Sequence, residues 1–408
     1  MATTAYRLFL RRFAMIVALL LSLIAAFNYL IDPYGLFGRP VTAGFDQQKE
    51  GVRSYIRFTK ALQLPLRRPA TILLGSSRVH DGMNPEDPLL AAYQPVYNLG
   101  INMLRIKEAL RYVRHATENA PVKRLIFGLD LFMFNGKEIE NPSLDDDLVG
   151  RRVRWLDYLY RPLLSKSAVM GSVSTIEASR AQPGRREFLS NGYRPGQFVN
   201  YRLLDYRKLH AYTNLVFLSR SVTGTPYYGV FSTDEGTYRD FVELLALCRA
   251  KGIETVLFIS PAHATLDGEV VRQVGLWDVM ENWKRRIAAI SAEYNVPLWD
   301  FSGYNSVTTE AVKTPMQYYW DSSHYTELVA TMILGRILGK TPDGITIPGD
   351  FGILLTPSSN ETHLAQIRLD REAYARTHPD EVALIQRLDR EAISGKVDPD
   401  IAGMFGKN

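Results

Sequence analysis

The sequence predicts an α/β chain: a doubly wound, mainly parallel five-stranded sheet behind an N-terminal transmembrane helix, interrupted by a helical insertion. Three observations lead there. Short apolar runs alternate with amphipathic stretches from about residue 70 onward, a long apolar segment stands near the amino terminus, and the alternation stops for about a hundred residues in the middle. The strand candidates are 70–74, 96–99, 125–129, 255–259 and 296–300, each a continuous apolar run of the kind buried on both faces of a parallel sheet. Between them, 238–251 is the clearest helix, with Phe241, Leu244, Leu245 and Cys248 on one face and Gly252 as a C-cap. In such sheets ligands collect at the carboxyl ends of the strands.

The apolar segment runs from Phe13 to Ile31, broken only by Ser22 and Asn28. A helix rising about 1.5 Å per residue needs roughly 20 residues to cross a hydrocarbon core of about 30 Å, so this segment suffices. Arg7, Arg11 and Arg12 precede it, and Asp32 and Pro33 follow. The positive-inside rule then predicts a single pass through the inner (cytoplasmic) membrane, with residues 1–31 as tail and anchor and the body outside, in the periplasm or its equivalent. The competing expectation is a cleaved signal peptide, although no small-residue cleavage site is evident after Ala25-Ala26. The remaining divisions are a connector over 32–69, the α/β domain over 70–345 with its insertion at about 136–235, and a helical extension over 346–408.

The insertion is thick in Arg and aromatic residues: Arg151, Arg152, Arg154, Trp155, Tyr158 and Tyr160, then Tyr193, Arg194, Phe198, Tyr201, Arg202, Tyr206 and Arg207. It reads either as a wall that stacks on sugar rings or as a solvated helical elaboration with snorkelling Arg side chains. In the extension, Arg368-Leu-Asp-Arg-Glu-Ala373 recurs as Arg387-Leu-Asp-Arg-Glu-Ala392, which two amphipathic helices explain.

Composition excludes several classes. Forty-eight Lys and Arg against 43 Asp and Glu leave a charge of +5, small for 408 residues and scattered, so nucleic acid is not an expected partner. The single cysteine, Cys248, allows neither an internal disulfide nor a thiolate metal site. Gly335 to Thr341 reads G-R-I-L-G-K-T, one residue short of a P-loop and at the end of a helical pattern instead of after a strand. His80, His263 and His324 have no fixed metal-ligand spacing, and neither a metal nor another cofactor is expected.

Two segments carry chemistry. The first strand ends Ile72-Leu-Leu-Gly-Ser-Ser-Arg78, placing a serine at the ligand edge, and far downstream comes Trp320-Asp-Ser-Ser-His-Tyr-Thr326. In a turn, an Asp three residues before a His can reach the imidazole Nδ1 proton and leave Nε2 free to take a proton from serine. Thr326 is a plausible N-cap for the amphipathic helix that follows.

With those residues in place, the chain resembles the SGNH or GDSL-like serine hydrolases, and in particular the membrane-anchored bacterial branch that acylates envelope polymers of the alginate or teichoic acid type. The resemblance covers roughly 72–338 and implies a flavodoxin-like sheet. Gly75-Ser76-Ser77 resembles the first block, Gly-Asp-Ser, which implies Ser77 as nucleophile, with Ser76 the alternative if the turn is wound differently. Asn98-Leu-Gly-Ile101 resembles the second block and implies that the Gly100 amide, with that of Ser77, faces the oxyanion. Asp321 and His324 match the last block. The third block departs, because Asp130 falls where the family has Asn; either Asn135 reaches back to serve the oxyanion hole, or the hole has only two amides. Arg78 and His80 flank the nucleophile, either to contact substrate or, for Arg78, to pair within the fold. The resemblance implies an acyltransferase using a serine ester, an exported polysaccharide or other envelope polymer as acceptor, and a membrane-bound O-acyltransferase as partner. An anchored carbohydrate esterase with the same triad, or a non-catalytic glycan-binding scaffold of an export complex, are the alternatives.

Overall fold

A computed structural model describes residues 2–137, 148–182, 186–196, 205–222 and 231–402. Phe198, Tyr201 and Arg202 of the insertion lie outside the described residues.

The sheet has six strands, not five: β1 Thr71–Gly75, β2 Val96–Gly100, β3 Arg124–Leu129, β4 Glu254–Ile259, β5 Leu298–Asp300 and β6 Ile353–Leu355. Their spatial order is β2-β1-β3-β4-β5-β6. The first five pair in parallel, and β6 closes the edge antiparallel to β5. The extra strand escapes a reading by apolar runs because it is three residues long and Leu354 is exposed on it.

Alternation along the strands divides two cores. Ile72, Leu74, Leu125, Phe127, Leu257 and Ile259 face one way, against helices 56–67, 106–119, 235–250 and 277–293. Leu73, Ile126 and Phe258 face the other way, against the buried side of helix Glu327–Leu338. Burial on both faces is why these runs lack polar interruptions. Cys248 is one more buried apolar group in the first core.

The N-terminal helix, Ala2–Ile31, is long and apolar enough to cross a membrane, and most of it is exposed. Its last turns pack against the insertion at 160–164 and 166–181. The insertion is therefore integrated at two places, since helix Tyr206–Val222 packs on helix Pro379–Ser394 and adds Leu215 and Leu218 to the first core. The repeated sextets of the extension lie in two successive helices, Pro357–Thr377 and Pro379–Ser394.

Candidate active site

β1 delivers the serine pair to the carboxyl edge of the sheet. Ser76 is extended and caps helix Ser77–Gly82, its Oγ accepting from the Arg78 amide at 3.2 Å. That orientation buries the Ser76 hydroxyl under the turn. Ser77 opens the helix and turns the other way, with Oγ 2.9 Å from His324 Nε2. The turn is thus wound so that Ser77, and not Ser76, meets the histidine. Glycine before it is required by packing: a Cβ on Gly75 would stand 2.3 Å from Val79 Cγ2.

Asp321 organises the opposite side. Its Oδ1 accepts from the backbone amides of Ser323 at 2.7 Å and His324 at 2.8 Å, while its carboxylate lies 2.9 and 3.1 Å from His324 Nδ1. The Trp320 amide donates to the His324 carbonyl at 2.9 Å and closes the turn. Burial by itself disfavours the Asp321 carboxylate, but the adjacent imidazole and two amides outweigh it and hold the carboxyl below its usual value. Burial likewise disfavours a charged His324, and Asp321 outweighs it, raising the imidazole above its usual value. The arrangement fixes the tautomer, with Nδ1–H toward Asp321 and Nε2 open to the Ser77 hydroxyl proton.

Arg78 pairs within the fold. Its Nη1 donates to Asp130 Oδ1 at 2.7 Å, its Nη2 to Asp267 Oδ1 at 3.1 Å, and its Nε to Ser323 Oγ at 3.4 Å. One buried guanidinium thereby ties helix Ser77–Gly82 to the 321–324 turn, to the residue after β3 and to the helical stretch Thr265–Val270. Asp130 is the counter-ion that this buried arginine needs, which accounts for a carboxylate where the resemblance led to an expectation of Asn. Burial nonetheless pushes the Asp130 carboxyl up, with Arg78 opposing.

The second-block expectation takes a different form. The Gly100 amide donates to Asn98 Oδ1 at 2.8 Å, so it is already engaged instead of facing an oxyanion. Gly100 is needed for close approach, since a Cβ there would lie 2.4 Å from the His80 backbone nitrogen. Asn135 uses its side-chain oxygen to accept from the Lys137 and Ser232 amides, each at 3.2 Å, bracing the two ends of the insertion. Of the three expected oxyanion groups, only Ser77 presents an amide at the first turn of a helix beside the triad.

His80 is enclosed instead of lying open to substrate. Its ring stacks on Phe188 of the insertion, and Nδ1 lies 3.3 Å from both Asn102 Oδ1 and Asp81 Oδ1. Burial, with Lys60 and Arg194 nearby, pushes its imidazolium well below the usual range. Arg194 closes this side by pairing with Glu187 at 2.9 Å and Asp81 at 3.4 Å. Lys60, wholly buried, donates to the carbonyls of Asn98, Gly100 and Gly192 at 2.9, 2.6 and 2.9 Å, pinning the insertion to the end of β2. His263 stands apart from His324 in role, sharing its nitrogens with Thr265 Oγ1 and the Glu310 carbonyl. Among the described residues no three His, Cys, Asp or Glu side chains are grouped to hold a metal ion.

Sequence reasoning passed over Asp267, Asn102 and Lys60. Asn102 offered the best signal, a polar residue two positions beyond Gly100, and it is exposed at the same edge. Beside the acid–base turn lies an open groove of about 590 Å³, lined by Tyr193, Tyr206, Trp320, Gln317 and Glu327. Tyr206 and Trp320 stack with their ring centroids 6.5 Å apart.

No protein-family model and no curated protein matches this chain. Among solved structures, a protein from Streptococcus pneumonia provisionally described as a platelet activating factor is similar at 11% identity and a TM-score of 0.32, over 71% of this chain and 92% of its own. A likeness this slight bears on neither fold nor function.

Proposed function

We propose that this chain is an SGNH-type serine acyltransferase, anchored in the inner membrane with its body outside, that moves an acyl group such as acetyl onto an exported polysaccharide or related envelope polymer. The observation that carries the chemistry is the relay from Ser77 Oγ through His324 to Asp321, with successive separations of 2.9 and 2.9 Å. In the first half-reaction Ser77 Oγ bonds to the acyl carbonyl carbon while His324 Nε2 takes the hydroxyl proton. The tetrahedral oxyanion draws on the Ser77 amide, and the donor's leaving group departs with the proton held by His324. In the second, a sugar hydroxyl gives its proton to Nε2 and attacks the serine ester, and Ser77 recovers its proton as the product leaves.

Two features support a polymer acceptor. The groove adjoining the acid–base turn offers the half-buried Trp320 ring and the exposed Gln317 and Glu327 to a sugar chain, whereas Tyr193 and Tyr206 are buried. The apolar helix fits permanent attachment, which places the body where a membrane-bound O-acyltransferase partner could supply acyl groups. An anchored carbohydrate esterase would use the same triad with water as acceptor, whereas a scaffold would have no need of the aligned relay.

Polymer-bound ester measured in a strain carrying Ser77→Ala separates the readings. Less ester than wild type supports the transferase, more identifies an esterase, and unchanged ester refutes both for that polymer. A fluorophosphonate probe tests the triad independently: it should label wild type and Ser76→Ala but not Ser77→Ala.

A further inference from the structure

The stretch 155–173, which grips the N-terminal helix, is built the wrong way round for water. In helix Lys166–Ala181 the side chains turned into the protein are Ala168, Ser172, Thr175 and Ser179. Thr175 Oγ1 and Ser179 Oγ accept from the Glu50 and Gln48 amides of the connector, at 3.1 and 3.0 Å. Outward, the first half of the same helix presents Met170, 60% exposed, and Val173, while Ser174, Glu177 and Arg180 are exposed in its second half. The preceding helical stretch 155–164 does likewise, with Trp155 71% and Tyr160 68% exposed, alongside Leu156 and Leu159. A surface helix in water carries the opposite pattern, apolar inward and polar outward.

Their height is set by Asn28. Counting from Arg12, a helix rise of about 1.5 Å per residue puts Ile31 roughly 28 Å further along, near the far boundary of a hydrocarbon core of about 30 Å. Asn28 is then about one turn inside that boundary, where an unpaired amide would be costly. It is fully paired: Nδ2 donates to the Leu163 carbonyl at 2.8 Å, and Oδ1 accepts from Ser172 Oγ at 2.7 Å. These bonds bring 163 and 172 to the level of the membrane boundary. The exposed Arg152, Arg154 and Lys166 stand beside the apolar face, within reach of phosphate headgroups.

The geometry points to a membrane collar: residues 155–173 lie in the headgroup–acyl boundary of the bilayer that the N-terminal helix crosses, with Trp155 and Tyr160 as interfacial anchors. This rests on the membrane-spanning reading of that helix and not on the acyl-transfer chemistry. Lipid is the occupant because the collar is continuous with the span, is rimmed by basic residues and carries the aromatic pair favoured at interfaces.

The test uses the full chain in vesicles of phosphatidylethanolamine and phosphatidylglycerol, on a Cys248→Ser background. Spin labels are attached to Leu159→Cys or Met170→Cys, with Leu20→Cys as the bilayer reference and the exposed Ile393→Cys as the water reference. Far-ultraviolet circular dichroism and the unfolding midpoint check that each variant is folded. The collar labels should show an oxygen-to-nickel-chelate accessibility ratio at least fivefold above Ile393→Cys. A collar ratio equal to that of Ile393→Cys, with Leu20→Cys shielded, overturns the proposal and places the face in water. A water-like Leu20→Cys overturns the span and the collar together. As a second readout that tolerates loss of a label site, quenching of fluorescence by brominated lipid should fall in Trp155→Phe; unchanged quenching refutes the collar.

Discussion

Replacing Asp130 with Asn asks whether the third block serves the oxyanion or the arginine. In the structure Asp130 Oδ1 takes a 2.7 Å bond from Arg78, and a charge-assisted bond of this kind is worth roughly 1.5–3 kcal/mol. Against that loss, the variant relieves a wholly buried carboxylate whose burial pushes its carboxyl up and whose Oδ2 makes no hydrogen bond of its own, about 1 kcal/mol. Arg78 also keeps Asp267 at 3.1 and 3.3 Å. The net expectation for Asp130→Asn is a loss of about 0.5–2 kcal/mol. Arg78→Met, which leaves two carboxylates unpaired, should cost about 3–5 kcal/mol. Urea unfolding of the full chain in detergent, followed by tryptophan fluorescence, measures both. The fluorophosphonate labelling rate of Asp130→Asn should stay within about threefold of wild type once its stability is matched. A tenfold gain in labelling, with no loss of stability, would show that position 130 faces the oxyanion and would refute the counter-ion argument.

The pH dependence follows from His324. Its raised pKa means that the base form appears only as pH climbs through a value above about 6.5, so the acid limb of the labelling rate should lie above that value. The same ion pair contributes stability below the unfolded imidazole pKa and loses it as pH rises through the folded one, so labelling and this part of stability move in opposite directions. Asp321→Asn should shift the acid limb down and slow labelling by about 10⁴, whereas an unmoved limb would mean that another group titrates. Lys60→Met strands three buried carbonyls and should cost about 3 kcal/mol or more by urea unfolding; a loss below about 1 kcal/mol would show that the insertion docks without that pin. Gly100→Ala drives a methyl into the His80 backbone and should lower stability by about 1–3 kcal/mol, with failure to destabilise counting against the close approach.

The five parallel strands were readable because burial on both faces leaves runs such as Ile72-Leu-Leu with no polar break. β6 was not, because three residues at a half-exposed edge carry no period. The triad was legible because each half is local: a serine where a strand ends, and an Asp and a His within one turn. What surrounds it was not. Asp267 reaches Arg78 from beyond β4, and nothing in its neighbourhood marks it. His80 is covered by Phe188 from the insertion, a contact between segments 108 residues apart that no short pattern encodes. Gly100 was expected to serve an oxyanion, yet its amide is bound to Asn98 Oδ1 and the glycine is there for close approach to His80; backbone approach and chemistry leave the same mark in a sequence.

Ser77 and His324 are 247 residues apart, one at the first strand of the sheet and the other after its fifth. On the proposed topology, in which the amino-terminal tail stays inside and the body is threaded outward behind the anchor, this ordering works as a timer. Ser77 then reaches the outer side before His324 has followed it. Even the pairing of Arg78 with Ser323 must wait for the final third of the polypeptide. On the proposed chemistry, a chain stalled or cut before residue 321 exposes a hydroxyl no more reactive than any other serine, because both Asp321 and His324 are missing.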